Sequence, residues 1–189
     1  MRIFIFVLFY IPIFSIAQEL ALNGDNVEYE KIYEHPDIPK DMLYGAAKKF
    51  IGVYFKQGKS VIQSEDVNSG LIVCKGNIDA KETYGNSIWT QTVIGDTFHF
   101  TMQFEIREGR ARVKIFDIHT VYESTYSSSE TSIEKSLLKE IKLINSSGEK
   151  SKPKRLDKFN KTVDLLNRTF YGILESYEEE IKEYSKNDW

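Results

Sequence analysis

The most constraining feature of the sequence is an apolar–polar alternation that holds without a break over residues 97–107. One set of alternate positions is apolar: Phe98, Phe100, Met102, Phe104 and Ile106. Because successive side chains of a β-strand point to opposite faces, this pattern predicts a strand with one buried face.

A second strand follows at once and predicts a register. With Glu108 and Gly109 as a two-residue turn, Glu105 lies opposite Arg112 on the polar face. The apolar pairs are then Ile106 with Ala111, Phe104 with Val113, and Met102 with Ile115. Beyond Ile115 the apolar positions change parity to Phe116 and Ile118, which predicts a β-bulge near Phe116.

Helical spacing predicts the elements that cover this sheet. From Lys40 onward, apolar residues recur at helical spacing in a first segment that Gly58 closes. A longer segment with the same spacing runs from Lys154 to Tyr177. The second segment also fits a coiled coil, but docking on the sheet is the favoured interpretation. We therefore expect an α+β domain with an antiparallel sheet and both long helices on the Phe98 face.

The remaining segments are assigned more coarsely. Residues 27–33 predict a first strand, 60–66 and 71–77 a hairpin, 78–87 a loop, and 88–94 a strand or its lead-in. Residues 124–130 are interpreted as a connector without regular structure. Residues 133–144 predict a short helix behind a capping box from Thr131 to Glu134.

The N-terminus has the pattern of a signal peptide. After Arg2, an apolar run over residues 3–14 is shorter than a membrane-spanning helix, and Pro12 interrupts it. Small residues at Ser15 and Ala17 predict cleavage after Ala17. We expect residues 1–17 to be removed, leaving 18–189 as one exported domain, periplasmic or associated with the cell envelope, without a stable transmembrane segment. The alternative is an uncleaved anchor.

The order of these elements resembles an exported bacterial family, domain-of-unknown-function family 4468. The resemblance rests on residues 39–44 at the start of the first helix, 69–76 after it, and 108–112 in the last hairpin. It implies a TATA-binding-protein-like (TBP-like) fold, a β-α-β4-α unit, here with an extra helical segment before the C-terminal helix. The resemblance implies no activity, and a shared topology with a DNA-binding protein does not imply DNA binding.

Charge and motifs exclude several kinds of chemistry. The formal net charge is −3, so there is no basic excess for nucleic acid. The single cysteine, Cys74, lies in an apolar run and is interpreted as a core residue. Nucleophile elbows, phosphate loops and dinucleotide-binding glycines are absent from the sequence. We therefore predict no catalytic residue, no cofactor and no metal site other than the candidate described next.

One constellation remains a candidate. With a bulge near Phe116, His99 lies opposite His119 and Thr101 opposite Asp117, on the face away from Phe98. His99, His119 and Asp117 are then candidate ligands for a divalent metal ion. The favoured interpretation is an ordinary solvated polar face.

Two functional classes follow. The first is a non-catalytic binding or interaction module of the cell envelope, whose partner is an unknown protein, peptide or glycan. The alternative is a hydrolase-like enzyme with dispersed catalytic residues. A basic cluster before the terminal helix is interpreted as a solvated loop, with contact to an anionic surface as its alternative: Lys150, Lys152, Lys154 and Arg155.

Overall fold

A computed structural model describes residues 21–23, 25–55, 62–84, 92–123 and 128–186 of the chain. Its strands are β1 Leu22–Asn23, β2 Asn26–Val27, β3 Tyr29–Glu34, β4 Ile62–Asp66, β5 Leu71–Tyr84, β6 Thr92–Arg107, β7 Arg110–Glu123 and β8 Ser128–Ser132. Its helices are α1 Lys40–Tyr54, α2 Ile133–Asn145 and α3 Lys152–Tyr184.

The main sheet is antiparallel and has six strands. Its order is β3-β7-β6-β5-β4, and β8 also pairs with β7. β3 pairs with residues 110–115 of β7, whereas β8 pairs with residues 119–123. The two short strands therefore lie one after the other along the same edge of β7. β1 and β2 form a separate two-stranded ribbon.

The register predicted for the central hairpin is confirmed. Ile106 pairs with Ala111, Phe104 with Val113 and Met102 with Ile115, around a turn at Glu108 and Gly109. Glu105 lies opposite Arg112, and the two side chains form an ion pair. The predicted bulge is also present, because the pairing passes from Thr101–Phe116 to His99–His119 with one extra residue on β7.

The core lies between the sheet and the helices, with both long helices on the predicted face. Phe98, Phe100, Phe104 and Ile106 are all buried. From α3, the ring of Phe170 contacts that of Phe100 with 5.4 Å between centroids, and Tyr177 contacts Phe104 at 5.1 Å. Phe50 of α1 contacts Phe104 from the same side. The fold is thus α+β with its helices on one face.

Several boundaries differ from the sequence predictions. Residues 78–84 belong to β5 instead of a loop, because they pair with 92–98 of β6 throughout. Residues 128–130 belong to β8 instead of a connector, because β7 extends beyond β3 and offers its free edge. α1 ends at Tyr54, and Gly58 lies outside the described residues.

The helix starts are also corrected. The cap of α2 is Ser132, whose hydroxyl accepts a hydrogen bond from the Lys135 amide at 3.4 Å, and not Thr131. Glu134 accepts instead from the amide of Val27 at 3.0 Å, so it connects α2 to β2. α3 begins at Lys152, two residues earlier than predicted, because Pro153 is tolerated in a first helical turn.

Among the described helices, none is long and apolar enough to cross a membrane.

Candidate functional site

The sheet face opposite the helices carries a polar cleft. Its volume is about 420 Å³. Strands β4 to β8 all contribute to its lining, and its polar residues are Gln63, Lys75, Asn77, His99, Thr101, Asp117, His119 and Glu130. We call this the open-face cleft. The long strands place these side chains together because alternate residues of neighbouring strands share a face.

Two imidazole rings lie in the cleft, each beside a carboxylate. His99 and His119 are direct cross-strand partners, as predicted. His99 Nδ1 is 3.6 Å from Glu130 Oε1, and His119 Nδ1 is 3.7 Å from Asp117 Oδ1. These distances describe neighbouring groups within electrostatic reach, longer than ordinary hydrogen bonds.

The bulge determines where Asp117 points. Asp117 has a φ of 55°, the left-handed conformation, in which Asp is several-fold enriched over most residues. It forms the extra residue of the bulge, so the predicted pairing with Thr101 is wrong: Thr101 pairs with Phe116. The Asp117 carboxylate nevertheless reaches the Thr101 hydroxyl, which donates to Oδ2 at 3.5 Å. His119 Nδ1 lies 3.0 Å from the Asp117 carbonyl oxygen and donates to it when that nitrogen carries the proton.

The candidate metal ligands share this patch without forming a ligand set. Within the described ranges, no group of three or more His, Cys, Asp or Glu side chains is placed to hold a metal ion. Structural and catalytic zinc sites use three or four protein ligands. His99, His119 and Asp117 all line the open-face cleft.

Sequence reasoning missed the contributions of β4, β5 and β8. Lys75 lies opposite Thr101 and Asn77 opposite His99 on β6. The side chains of Lys75 and Asn77 make no hydrogen bond or ion pair with the described residues. The sequence signal for the position of Lys75 is its apolar neighbour Cys74. Because Cys74 is buried against the helices, Lys75 next to it points to the opposite face of the sheet. Glu130 had no such signal, because β8 was not predicted.

A second hollow lies at the turn end of the same face. Its volume is about 100 Å³, and Glu105, Arg107, Arg110 and Arg112 line it. The Arg112 guanidinium donates to Glu105 and holds the pKa of that carboxyl below its usual range. Arg110 pairs with Glu34 at 3.4 Å. Much of the positive charge here is therefore balanced within the protein.

Comparison with known proteins agrees with this architecture. The family described as "Domain of unknown function (DUF4468) with TBP-like fold" matches residues 29–120, from β3 to near the end of β7. The chain contains a DUF4468 domain. A crystal structure of a DUF4468 family protein from Bacteroides ovatus superposes with a TM-score of 0.56 at 16% identity, covering 86% of this chain and 91% of that one.

A second solved structure shows the same fold. A TBP-like protein from Parabacteroides distasonis superposes with a TM-score of 0.51 at 14% identity, covering 84% of this chain and 97% of that one. A search of the curated proteins finds no match. At these identities the DUF4468 comparison establishes the fold, and function must be argued from the site.

Proposed function

We propose that this DUF4468 protein is an exported, non-catalytic binding module whose open-face cleft holds a neutral, hydroxyl-rich ligand such as a glycan fragment. The observation that carries the proposal is the cleft itself: about 420 Å³ on the helix-free face, lined by polar side chains from five strands. That volume is within the range of about 300–1,000 Å³ typical of small-molecule sites.

The chemistry of the lining favours a neutral ligand that both donates and accepts hydrogen bonds. Lys75 and Asn77 offer donors that no described residue uses, and Asp117 and Glu130 offer carboxylate acceptors. Because the cleft contains both signs of charge, a strongly anionic or cationic ligand would face repulsion from one part of it. A sugar hydroxyl can donate to one group and accept from another, so it suits both kinds of lining.

A ligand titration followed by NMR tests this proposal. The chain from Gln18 would be titrated with a panel of soluble neutral oligosaccharides while backbone amide shifts are recorded. We expect saturable shifts at Lys75, Asn77, His99 and His119 with at least one oligosaccharide. Shifts confined to the helices, or none with any member of the panel, would contradict the proposal.

Two variants make the test specific. Lys75→Ala and Asn77→Ala remove donors without breaking any described contact, so we expect the affinity to fall by roughly 10-fold per hydrogen bond lost, with unchanged stability. Arg107→Ala, on the same sheet face but outside the cleft, is the matched control and should bind as the wild type does.

Export is part of the proposal and rests on residues 1–17. The chain has the charge, apolar run and small residues of a signal peptide. All residues of the described core lie between Val27 and Ile181, so a chain beginning at Gln18 keeps the whole of that core. Intact-mass measurement of the protein from a periplasmic fraction should give a chain starting at Gln18. A cytoplasmic form that retains Met1 would reject export.

A second candidate function is a hydrolase that uses the imidazole–carboxylate neighbours. His119 beside Asp117 has the composition of a general-base pair, and contacts in unliganded sites are often longer than in the reacting complex. Turnover of ester or glycoside substrates that is lost in His119→Ala would favour the enzyme. Binding without turnover would favour the module.

A further inference from the structure

The positive charge of this acidic protein is concentrated in one helical hairpin. Residues 133–162, here called the basic hairpin, contain nine Lys and Arg against four Asp and Glu. The rest of the sequence has 16 Lys and Arg against 28 − 4 = 24 Asp and Glu. The basic hairpin therefore has a net charge of +5 in 30 residues, whereas the rest of the sequence has a net charge of −8.

Most of this charge is not neutralised within the protein. Arg155 pairs with Glu140 at 3.4 Å, and Lys161 with Asp157 at 2.7 Å. The other seven basic side chains make no ion pair with any residue of the described chain: Lys135, Lys139, Lys142, Lys150, Lys152, Lys154 and Lys158. The basic hairpin therefore presents a solvated positive surface.

The same hairpin exposes large apolar side chains. Leu138 is 56% exposed and Leu156 is 46% exposed, and Ile141 and Leu143 are also exposed. On α2, the core-facing residues are Ile133, Leu137 and Ile144. Leu138 and Ile141 are three residues apart, so they lie on one side of the helix and extend its apolar arc beyond the core.

The second helix of the hairpin begins outside the core. No side chain of residues 152–162 is buried, and the buried positions of α3 start at Val163. The first three turns of α3 are therefore largely exposed, and Phe159 is their apolar side chain that packs, partly buried, against the core. α2 and the start of α3 therefore both expose apolar residues and lysines.

We propose that the basic hairpin binds the surface of an anionic phospholipid bilayer. An apolar strip bordered by Lys and Arg is the surface that interfacial helices present to such membranes, where the apolar side chains enter the headgroup region and the cations meet lipid phosphates. Charge complementarity favours this occupant over a hairpin-to-hairpin contact with a second copy, because two basic hairpins repel each other. This interaction is independent of the open-face cleft.

Vesicle co-sedimentation tests the proposal with the chain from Gln18. Vesicles of phosphatidylcholine alone are compared with vesicles that also contain phosphatidylglycerol. We expect binding to the anionic vesicles only, weakened by salt because exposed charges are screened. Equal binding to both vesicles, or binding to neither, would overturn the proposal.

Two variants locate the contact on the hairpin. Leu138→Ser with Ile141→Ser removes the apolar strip, and Lys150→Gln with Lys152→Gln and Lys154→Gln removes three charges. All five side chains are exposed, so near-UV circular dichroism should remain that of the wild type. Each variant is expected to lower the partition coefficient roughly 10- to 100-fold.

Matched controls change the same chemistry elsewhere. Val53→Ser with Val67→Ser removes exposed apolar groups, and Arg107→Gln with Arg110→Gln and Lys186→Gln removes three charges. Both controls should bind as the wild type does. If the hairpin variants bind like these controls, the proposal is wrong. A dimer in sedimentation that Leu138→Ser abolishes, without vesicle binding, would assign the strip to self-association instead.

Discussion

At the scale of single residues, Gly70 occupies a backbone position that is sterically closed to other residue types. It has a φ of +73°, and a Cβ placed there would collide with the Ile106 carbonyl oxygen. The Gly70 carbonyl accepts from the Ile106 amide at 2.8 Å, so the turn cannot move away without losing a bond. We expect Gly70→Ala to lower the free energy of unfolding by about 2–4 kcal/mol in urea denaturation.

The control for this prediction is the same substitution in a helix. Gly52 of α1 is exposed, and a Cβ there has no neighbour within 4 Å. Gly52→Ala should therefore raise stability by about 0.5–1 kcal/mol, the difference in helix propensity. A Gly70→Ala protein as stable as the wild type would show that the turn relaxes at no cost.

Cys74 makes a second prediction at this scale. It is buried on the helix side of β5, and burial raises the pKa of its thiol to about 12. Because the thiolate is the reactive form, we expect no reaction with a disulfide reagent in the native protein at neutral pH and full reaction in urea. Rapid labelling of the folded chain would mean that β5 opens locally.

At the scale of elements, an ion pair joins the edge strand to the terminal helix. Lys31 of β3 donates to Glu178 of α3 at 2.6 Å, and Lys182 lies 3.0 Å from the same carboxylate. These cations lower the pKa of Glu178 to about 2 from its ordinary value of 4.5. The native state holds this proton more weakly than the unfolded chain, so the stabilisation is complete above about pH 4.5 and lost as the pH falls towards 2.

Lys31→Met tests this contribution. We expect the variant to be less stable than the wild type at neutral pH and to lose less stability on acidification, since its Glu178 keeps only Lys182. Urea unfolding at several pH values between 7 and 2 measures the slope. Lys186→Met, at an exposed position near the end of the chain, is the control. Parallel pH profiles for Lys31→Met and wild type would contradict the assignment.

The elements that sequence reasoning recovered are those with a built-in register. The turn at Gly109 and the alternation of β6 together predict the pairs from Ile106–Ala111 to Met102–Ile115 and the pair His99–His119, whereas the pair at Thr101, next to the bulge, was predicted one residue off. Residues 78–84 lack that alternation and become strand only because β6 offers an edge long enough to pair with. β8 depends likewise on the free edge of β7. Half of the cleft lining comes from β4, β5 and β8, so local pattern could not assemble it.

At the scale of the whole molecule, the two faces of the main sheet have different roles. One face buries the aromatic core under α1 and α3, and the other carries the open-face cleft. Three tyrosine hydroxyls donate hydrogen bonds within the buried layer. Tyr29 donates to Asn167 at 2.9 Å and Tyr33 to the Leu174 carbonyl at 2.7 Å, both in α3. Tyr177 donates to the Leu43 carbonyl of α1 at 3.4 Å.

These three hydroxyls predict how the protein unfolds in alkali. Burial raises the pKa of Tyr29, Tyr33 and Tyr177 above the ordinary value of 10.0, because a tyrosinate would be desolvated and could no longer donate. Unfolded tyrosines release their protons near pH 10, so stability is complete below that pH and falls as the pH rises above it. In the chain from Gln18, which keeps ten of the 11 tyrosines because Tyr10 is removed, we expect some to ionise only together with loss of circular dichroism. Tyr29→Phe should reduce that late-ionising group by one, as measured by tyrosinate absorbance, whereas ionisation of all ten in a still-folded chain would show that the hydroxyls are accessible.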